Sequence, residues 1–307
     1  IRRPPRSTLV PYTTLFRSIR VDASAWEGWW YEGAGLYRHA WLVRRAPVAI
    51  ISDGVYCDPR RDAAGRWQVP VVATLANSGR AAATVTVEAT LFDPEGHAVE
   101  RASVAAPVPV LEQADARLTL DIGEARLWSV ETPTLYTLRV HVLRDGGVVD
   151  VRQIPIGFRT IRFDAERGFF LNERPVKIKG VCIHQDHAGV GTAMPDALLY
   201  WRLQRLKAMG CNAVRMSSNA PTAELLDYCD RMGLLVMDEN RHFNPSPDYM
   251  AQLEWLVRRD RNHPSVIIWT LWNEEPLKST PQGVEMTRRM VAALKRLDDA
   301  RPVTVAM

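Results

Sequence analysis

At about residue 159 the hydrophobic pattern of this 307-residue chain changes its period, and that change restricts the possible folds more than any other feature. Before it, short runs alternate apolar and polar residues; after it, strand-like runs alternate with segments of helical spacing. Residues 47–158 include Gln68 to Leu75, closed by Asn77-Ser78-Gly79, and Ala83 to Phe92, closed by Asp93-Pro94-Glu95-Gly96. A third run, Tyr136 to Leu143, is closed by Asp145-Gly146-Gly147. From Thr84 to Leu91 the apolar side chains fall on one face with period two. Several such runs at this spacing predict an antiparallel sandwich of immunoglobulin type, with a structural role.

Residues 159–307 predict strands at Val176 to Ile183, Asn212 to Met216, Leu234 to Met237, Val266 to Trp272 and Val303 to Ala306. Helices are expected between them, at Pro195 to Met209, Thr222 to Met232, Asp248 to Asn262 and Gly283 to Leu297. Thr222 offers an amino-terminal cap and Gly233 a left-handed stop. The run from Val266 lacks polar alternation and is bracketed by His263-Pro264 and Pro276, the pattern of a strand covered on both faces. Four βα units and a lone strand make the first half of a (β/α)8 barrel. An open doubly wound sheet is the rival, but Gly189-Val190-Gly191 is too weak a phosphate loop to support it. The fold class is therefore multidomain, β plus α/β.

The front of the chain is different. Residues 1–18 show neither period and resemble a translated sequencing-library adaptor, so they are set aside from fold reasoning. An Arg-rich transit peptide is the alternative. Residues 19–46 hold Trp26, Trp29, Trp30, Tyr31, Tyr37 and Trp41, an aromatic cluster that suits the packed tail of a β domain better than a ligand surface. Residues 1–20 carry five arginines and no acid, and removing them leaves 34 basic against 35 acidic residues. The near-neutral body argues against a nucleic-acid partner. No apolar run is long enough to cross a bilayer. Cys57, Cys182, Cys211 and Cys229 have no metal-type spacing and read as buried free thiols, which leans toward a reducing cytoplasm without assigning a compartment.

In parallel α/β folds the chemistry collects at the carboxyl ends of strands. Those ends carry His184, Asp186 and His187, then Arg215 and Asn219, then Asp238 and Glu239, and finally Asn273, Glu274 and Glu275. If the strands are adjacent, these groups share one rim, which suits a polyhydroxylated neutral ligand. Glycoside hydrolysis needs one carboxylic acid and one further carboxylate. Glu274 is the leading candidate for the acid, although Asn273 and Glu274 could simply end a strand. Glu239 and Glu275 are the nearest second carboxylates, and neither is convincing. Asp238 and Glu239 read more readily as ion-pair partners of Arg215. His184-Gln185-Asp186-His187 reads as a hydrogen-bonding group beside the ligand rather than a metal cluster.

From about residue 21 onward these blocks resemble glycoside hydrolase family 2, the retaining β-galactosidases, β-glucuronidases and β-mannosidases. The resemblance rests on Trp29-Trp30-Tyr31-Glu32-Gly33-Ala34-Gly35-Leu36-Tyr37-Arg38, on Leu127-Trp128 through Pro133-Thr134-Leu135-Tyr136, and on Gly157-Phe158-Arg159-Thr160-Ile161. It continues through Gly168-Phe169-Phe170-Leu171-Asn172, Lys179 to His187, Cys211 to Ser217, and Arg259-Asp260-Arg261-Asn262-His263-Pro264-Ser265 to Asn273-Glu274. It implies that residues 19–46 end a sugar-binding jelly roll. It also implies Glu274 as general acid/base, Asn273 on the sugar 2-hydroxyl, His184 on the glycone and Arg215 in support of the carboxylates. Asp186 and Asn219 complete the expected substrate-binding set.

Two departures matter. Ser218 stands where the family carries a ligand-contacting histidine, and no Glu-x-His pair follows Glu239, so no metal and no cofactor are expected. The family's nucleophile, a glutamate at the seventh strand, would lie beyond Met307. The expectation is thus a fragment, inactive by itself, of a retaining exo-β-glycosidase, with a β-galactoside as carbohydrate partner and a homo-oligomeric whole enzyme left open. β-Glucuronidase or β-mannosidase specificity is the alternative within the class. A non-catalytic carbohydrate-binding or interaction protein is the alternative outside it.

Overall fold

The computed structural model describes residues 35–306. The adaptor-like stretch 1–18 and the aromatic residues Trp26, Trp29, Trp30 and Tyr31 lie outside the described residues. The chain divides into two compact units, Ile1–Leu42 and Val43–Met307. In the first, residues 35–42 form neither strand nor helix, and Trp41 is exposed.

The second unit begins with two antiparallel sheets. In one, β1 (Val48–Cys57) and, beyond it, β2 (Arg60–Arg61) pair with one edge of β3 (Trp67–Asn77). The other sheet contains β4 (Ala83–Phe92) and β5 (Ala98–Val108); β6 (Gln113–Gly123) returns to the free edge of β3. Strands β7 (Tyr136–Arg144) and β8 (Gly147–Ile156) complete the order β5-β4-β7-β8. Along β3 and β7 every second side chain is buried, so Val69, Val71, Leu75, Leu138, Val140 and Val142 meet in one core. That is the period-two pattern turned into a sandwich.

A small antiparallel sheet follows, made of β9 (Ile161–Asp164), β10 (Gly168–Leu171) and β11 (Arg174–Pro175). Then come β12 (Gly180–Ile183), α1 (Asp196–Ala208), β13 (Ala213–Met216), α2 (Ala223–Met232), β14 (Leu235–Glu239), α3 (Pro247–Asp260), β15 (Val266–Asn273), α4 (Pro281–Leu297) and β16 (Val303–Ala306). The five strands are parallel and adjacent in chain order, β12-β13-β14-β15-β16. This arrangement is what puts all the strand ends on one rim. Strand β15 is buried almost throughout, as its unbroken apolar run requires. Thr222 caps α2 by accepting from Leu225 N–H at 3.3 Å, and Gly233 stops it at φ 68°. A Cβ at Gly233 would also sit 2.3 Å from the Val130 carbonyl oxygen, so no other residue fits there.

The blocks with no chemistry in them join the sandwich to the amino ends of the barrel strands. Trp128 is wholly buried, packs with Ala213, Leu235 and Ile267 at the floor of the parallel sheet, and donates from Nε1 to the Asp230 carbonyl at 2.8 Å. Gly157 lies so close to Pro264 and Trp128 that a Cβ would come within 2.9 Å of both. Arg159 donates to the carbonyls of Pro264 and Val266. Asn262 bridges to β1, accepting from Cys57 N–H at 3.0 Å and donating to Val55 O at 2.8 Å. Asp230 takes the Ser265 N–H on one oxygen and His263 Nδ1 on the other, at 3.0 and 2.6 Å. Burial alone would lower the His263 pKa, but the Asp230 carboxylate outweighs it and the value is raised. This pair therefore stabilises the fold fully below the ordinary histidine value, and its contribution fades as pH rises through the folded one.

Candidate active site

The rim is built around Arg215, which points across the sheet from β13. Its Nε donates to Glu239 Oε2 at the end of β14 at 2.7 Å, and one terminal nitrogen donates to Asn273 Oδ1 at the end of β15 at 2.6 Å. Glu239 is completely buried, and its second oxygen accepts the Ser218 N–H at 2.7 Å. Ser218 reaches that position by adopting φ 60°, a left-handed conformation that costs a non-glycine residue on the order of 1 kcal/mol or more. Both carboxylate oxygens of Glu239 are therefore committed to structure.

That commitment decides two questions the sequence left open. Glu239 is the partner of Arg215, and it is not presented to a ligand. Asn273 has its carbonyl oxygen turned to Arg215, so its amide N–H groups remain to donate to a ligand oxygen. Glu274 follows in another left-handed conformation, φ 47°, and its own N–H is tied to Ala306 O of β16 at 3.1 Å. Its side chain is exposed and takes no hydrogen bond from the described residues. The strained backbone turns one carboxylate out directly after a strand that is buried along most of its length.

The loop after β12 forms the neighbouring wall. His184 is exposed and Asp186 half-buried. Arg202 of α1 holds both by their backbones, donating to His184 O at 3.1 Å and Asp186 O at 3.0 Å. Asn219 lies after β13, half-buried, with its amide donating to Ala220 O at 2.9 Å rather than to the Arg215 network. The structure thus joins Arg215, Glu239 and Asn273 directly, displays Glu274 beside them, and places His184, Asp186 and Asn219 on the flanking loops. Sequence reasoning missed Arg202 and the Ser218 N–H. An arginine on the helix after a polar strand-end loop is a readable signal; a backbone donor is not. Glu275 is half-buried, and burial raises its pKa although Arg241 opposes this.

Asp238, one residue before Glu239, faces the other way. It is fully buried, and as a carboxylate neither of its oxygens would have a partner. Burial, reinforced by the nearby Asp260 carboxylate, pushes its pKa well above the ordinary value of 3.8, although Arg259 opposes this. Asp260 is itself buried and held by Arg259 at 2.5 and 2.6 Å. A carboxyl whose folded pKa is raised weakens the fold as pH climbs from the unfolded value toward the folded one, by about 1.4 kcal/mol per pH unit. Asp238→Asn keeps a donor toward Asp260 without the titration. We expect the variant to match wild type near pH 4 and to exceed it in stability at pH 7–8, with a flatter pH profile in urea unfolding. Equal destabilisation at every pH would show that Asp238 is ionised.

Asp227, Asp230 and His263 also converge closely enough to share an ion, but they lie toward the amino ends of the strands, and Asp230 and His263 already bond each other.

Comparison with known proteins agrees with the fold. Residues 49–159 match the family model described as glycosyl hydrolases family 2, and residues 164–307 match its TIM barrel domain. A β-galactosidase of Bacteroides ovatus is 33% identical over 94% of this chain and 39% of its own length. A β-glucuronidase of Bacteroides fragilis is 29% identical over 89% of this chain and 42% of its own. Among solved structures, a glycosyl hydrolase family 2 member from Bacteroides cellulosilyticus superposes with a TM-score of 0.84 at 35% identity, covering 90% of this chain and 39% of that one. The chain spans less than half the length of these relatives.

Proposed function

The chain belongs to glycoside hydrolase family 2, and from that premise we propose that it carries the acid/base half of a retaining exo-β-glycosidase acting on terminal β-D-galactosides. The observation that carries this reading is the Arg215 network, which locks Glu239 and Asn273 and leaves Glu274 as the exposed carboxyl of the rim.

In double displacement, Glu274 gives its proton to the leaving glycosidic oxygen while a second carboxylate attacks the anomeric carbon. The same Glu274, now ionised, takes a proton from the water that releases the sugar. Asn273 donates to the sugar 2-hydroxyl, and His184, Asp186 and Asn219 contact the glycone from the flanking loops. The two loops anchored by Arg202 and Ser218 hold these groups in place before the ligand arrives. Among the described residues the second carboxylate is not supplied by Glu239, whose oxygens are both engaged. We therefore assign this chain no turnover by itself. Residues 19–46 fit the end of a jelly-roll sugar-binding domain and residues 47–158 an immunoglobulin-type sandwich, with the catalytic domain starting at residue 159.

The test is a fusion of this chain to the carboxyl-terminal barrel half of the B. ovatus β-galactosidase. The folded fusion should hydrolyse an aryl β-galactoside in preference to the matching β-glucuronide or β-mannoside, with retention of configuration, and the chain alone should be inert. Preference for the glucuronide would transfer the proposal to that substrate. Glu274-dependent hydrolysis by the chain alone would contradict the division of the machinery.

A further inference from the structure

A second cleft lies at the end of the parallel sheet opposite the rim. Its volume is about 840 Å³, and it runs between the sheet of β1, β3 and β6 and the carboxyl ends of α3 and α4. Those helix ends lead into the amino ends of β15 and β16, so the cleft is separated from Asn273 and Glu274 by the length of the strands.

Five arginines and two aspartates line it. Asp58 is paired with Arg60, and Asp115 with Arg117. The other three arginines have no acid of the cleft to neutralise them. Arg258 makes no hydrogen bond among the described residues, and Arg296 has only a 3.8 Å contact to Glu254 on the helix surface. Arg261 is only 7% exposed; it stacks at 4.2 Å over the Tyr56 ring and bonds Leu297 O, yet its Nε is buried without a partner. The Tyr56 hydroxyl, in the same wall, is also buried without a partner. Buried donors left unsatisfied cost stability and are uncommon in native folds. The Tyr56 hydroxyl and Arg261 Nε, flanked by Arg258 and by Arg296 with only its distant Glu254 contact, mark a place in an otherwise near-neutral body that lacks an acceptor carrying negative charge.

We propose that this cleft is an oxyanion-binding site, separate from the catalytic rim, that takes the carboxylate or sulfate of an acidic saccharide. The guanidinium fork matches both groups, and the volume accommodates one or two sugar rings. The same chemistry could be delivered by an acidic side chain of a longer polypeptide, so the experiment separates the two sources.

Thermal unfolding of the 307-residue chain is followed at constant ionic strength with sodium sulfate, with glucuronate and with galactose. The two anions should raise Tm saturably and the neutral sugar should not. Arg258→Ala with Arg296→Ala removes charge without disturbing the core, and should weaken anion binding about tenfold or more. Arg289→Ala, on the exposed face of α4 and paired there with Glu285, should change nothing. Tighter binding of glucuronate than of sulfate identifies the saccharide as the ligand. Equal affinity shows a bare oxyanion site, as for a carboxylate side chain. An absent shift, or one that survives the double substitution unchanged, overturns the proposal.

Discussion

Replacing Arg215 by alanine should cost about 3–5 kcal/mol of folding stability, the penalty for removing one member of a buried ion pair. The reason lies in Glu239. It has no exposed surface and spends one oxygen on Arg215 and the other on the Ser218 N–H, so the variant leaves a buried carboxylate with a single donor. Arg215 itself retains some exposure, which places most of the cost on its partner. Arg215→Ala combined with Glu239→Gln should therefore recover much of the loss, because a neutral amide in the same place has no charge to compensate. Urea unfolding of the single and double variants decides it. A single variant within 1 kcal/mol of wild type would mean that Glu239 is not buried as a carboxylate.

The second large effect belongs to Trp128. Truncation to alanine empties a wholly buried site between the sandwich and the barrel floor, which costs about 3–5 kcal/mol and lowers Tm by roughly 10 °C. It also frees the Asp230 carbonyl, whose side chain anchors His263 and Ser265. Because Trp128 packs in the core at the floor of the parallel sheet and not in the sandwich core, its loss should split the unfolding into two transitions, with the barrel half melting first. One unshifted transition would show that the sandwich and the barrel are not joined through this residue.

The clearest parts of the fold in the sequence were those where one local rule acts alone. The ends of β4 at Ala83 and Phe92 and the start of β16 at Val303 were legible because alternation and turn residues coincide there. The cap at Thr222 and the stop at Gly233 were legible for the same reason. The start of α4 was missed by two residues although Thr280-Pro281 carries a cap followed by a first-turn proline. The strand expected from Val176 begins only at Gly180. Residues 177–179 give their backbone groups to the Asn212 side chain, which accepts from Lys179 N–H and donates to Lys177 O, in place of a ladder. No period in the sequence announces that substitution. The three short strands β9 to β11 were likewise invisible, since β9 and β10 have only four residues each and β11 is a pair.

At the site, the residue types at the strand ends could be collected from the sequence, but their division of labour could not. That Glu239 is locked and Glu274 displayed depends on two left-handed residues, Ser218 and Glu274, neither of which is glycine. Tertiary contacts set both conformations, and residue type would have argued against them. The block from Arg259 to Ser265 looked like a neighbour of the chemistry. It works instead at the opposite end of the strands, bonding β1, Asp230 and Arg301.

The most direct test of the account is Glu274→Ala in the fusion with the carboxyl-terminal barrel half of the B. ovatus enzyme. Hydrolysis of a phenyl β-galactoside, whose leaving group needs protonation, should fall by about 10²–10⁴-fold. A dinitrophenyl β-galactoside, whose leaving group does not, should form its glycosyl intermediate at nearly the original rate, and added azide should restore turnover and yield the β-galactosyl azide. A fusion that folds and loses neither substrate, or that loses both with no rescue by azide, would contradict the assignment of Glu274 as the acid and base of the reaction.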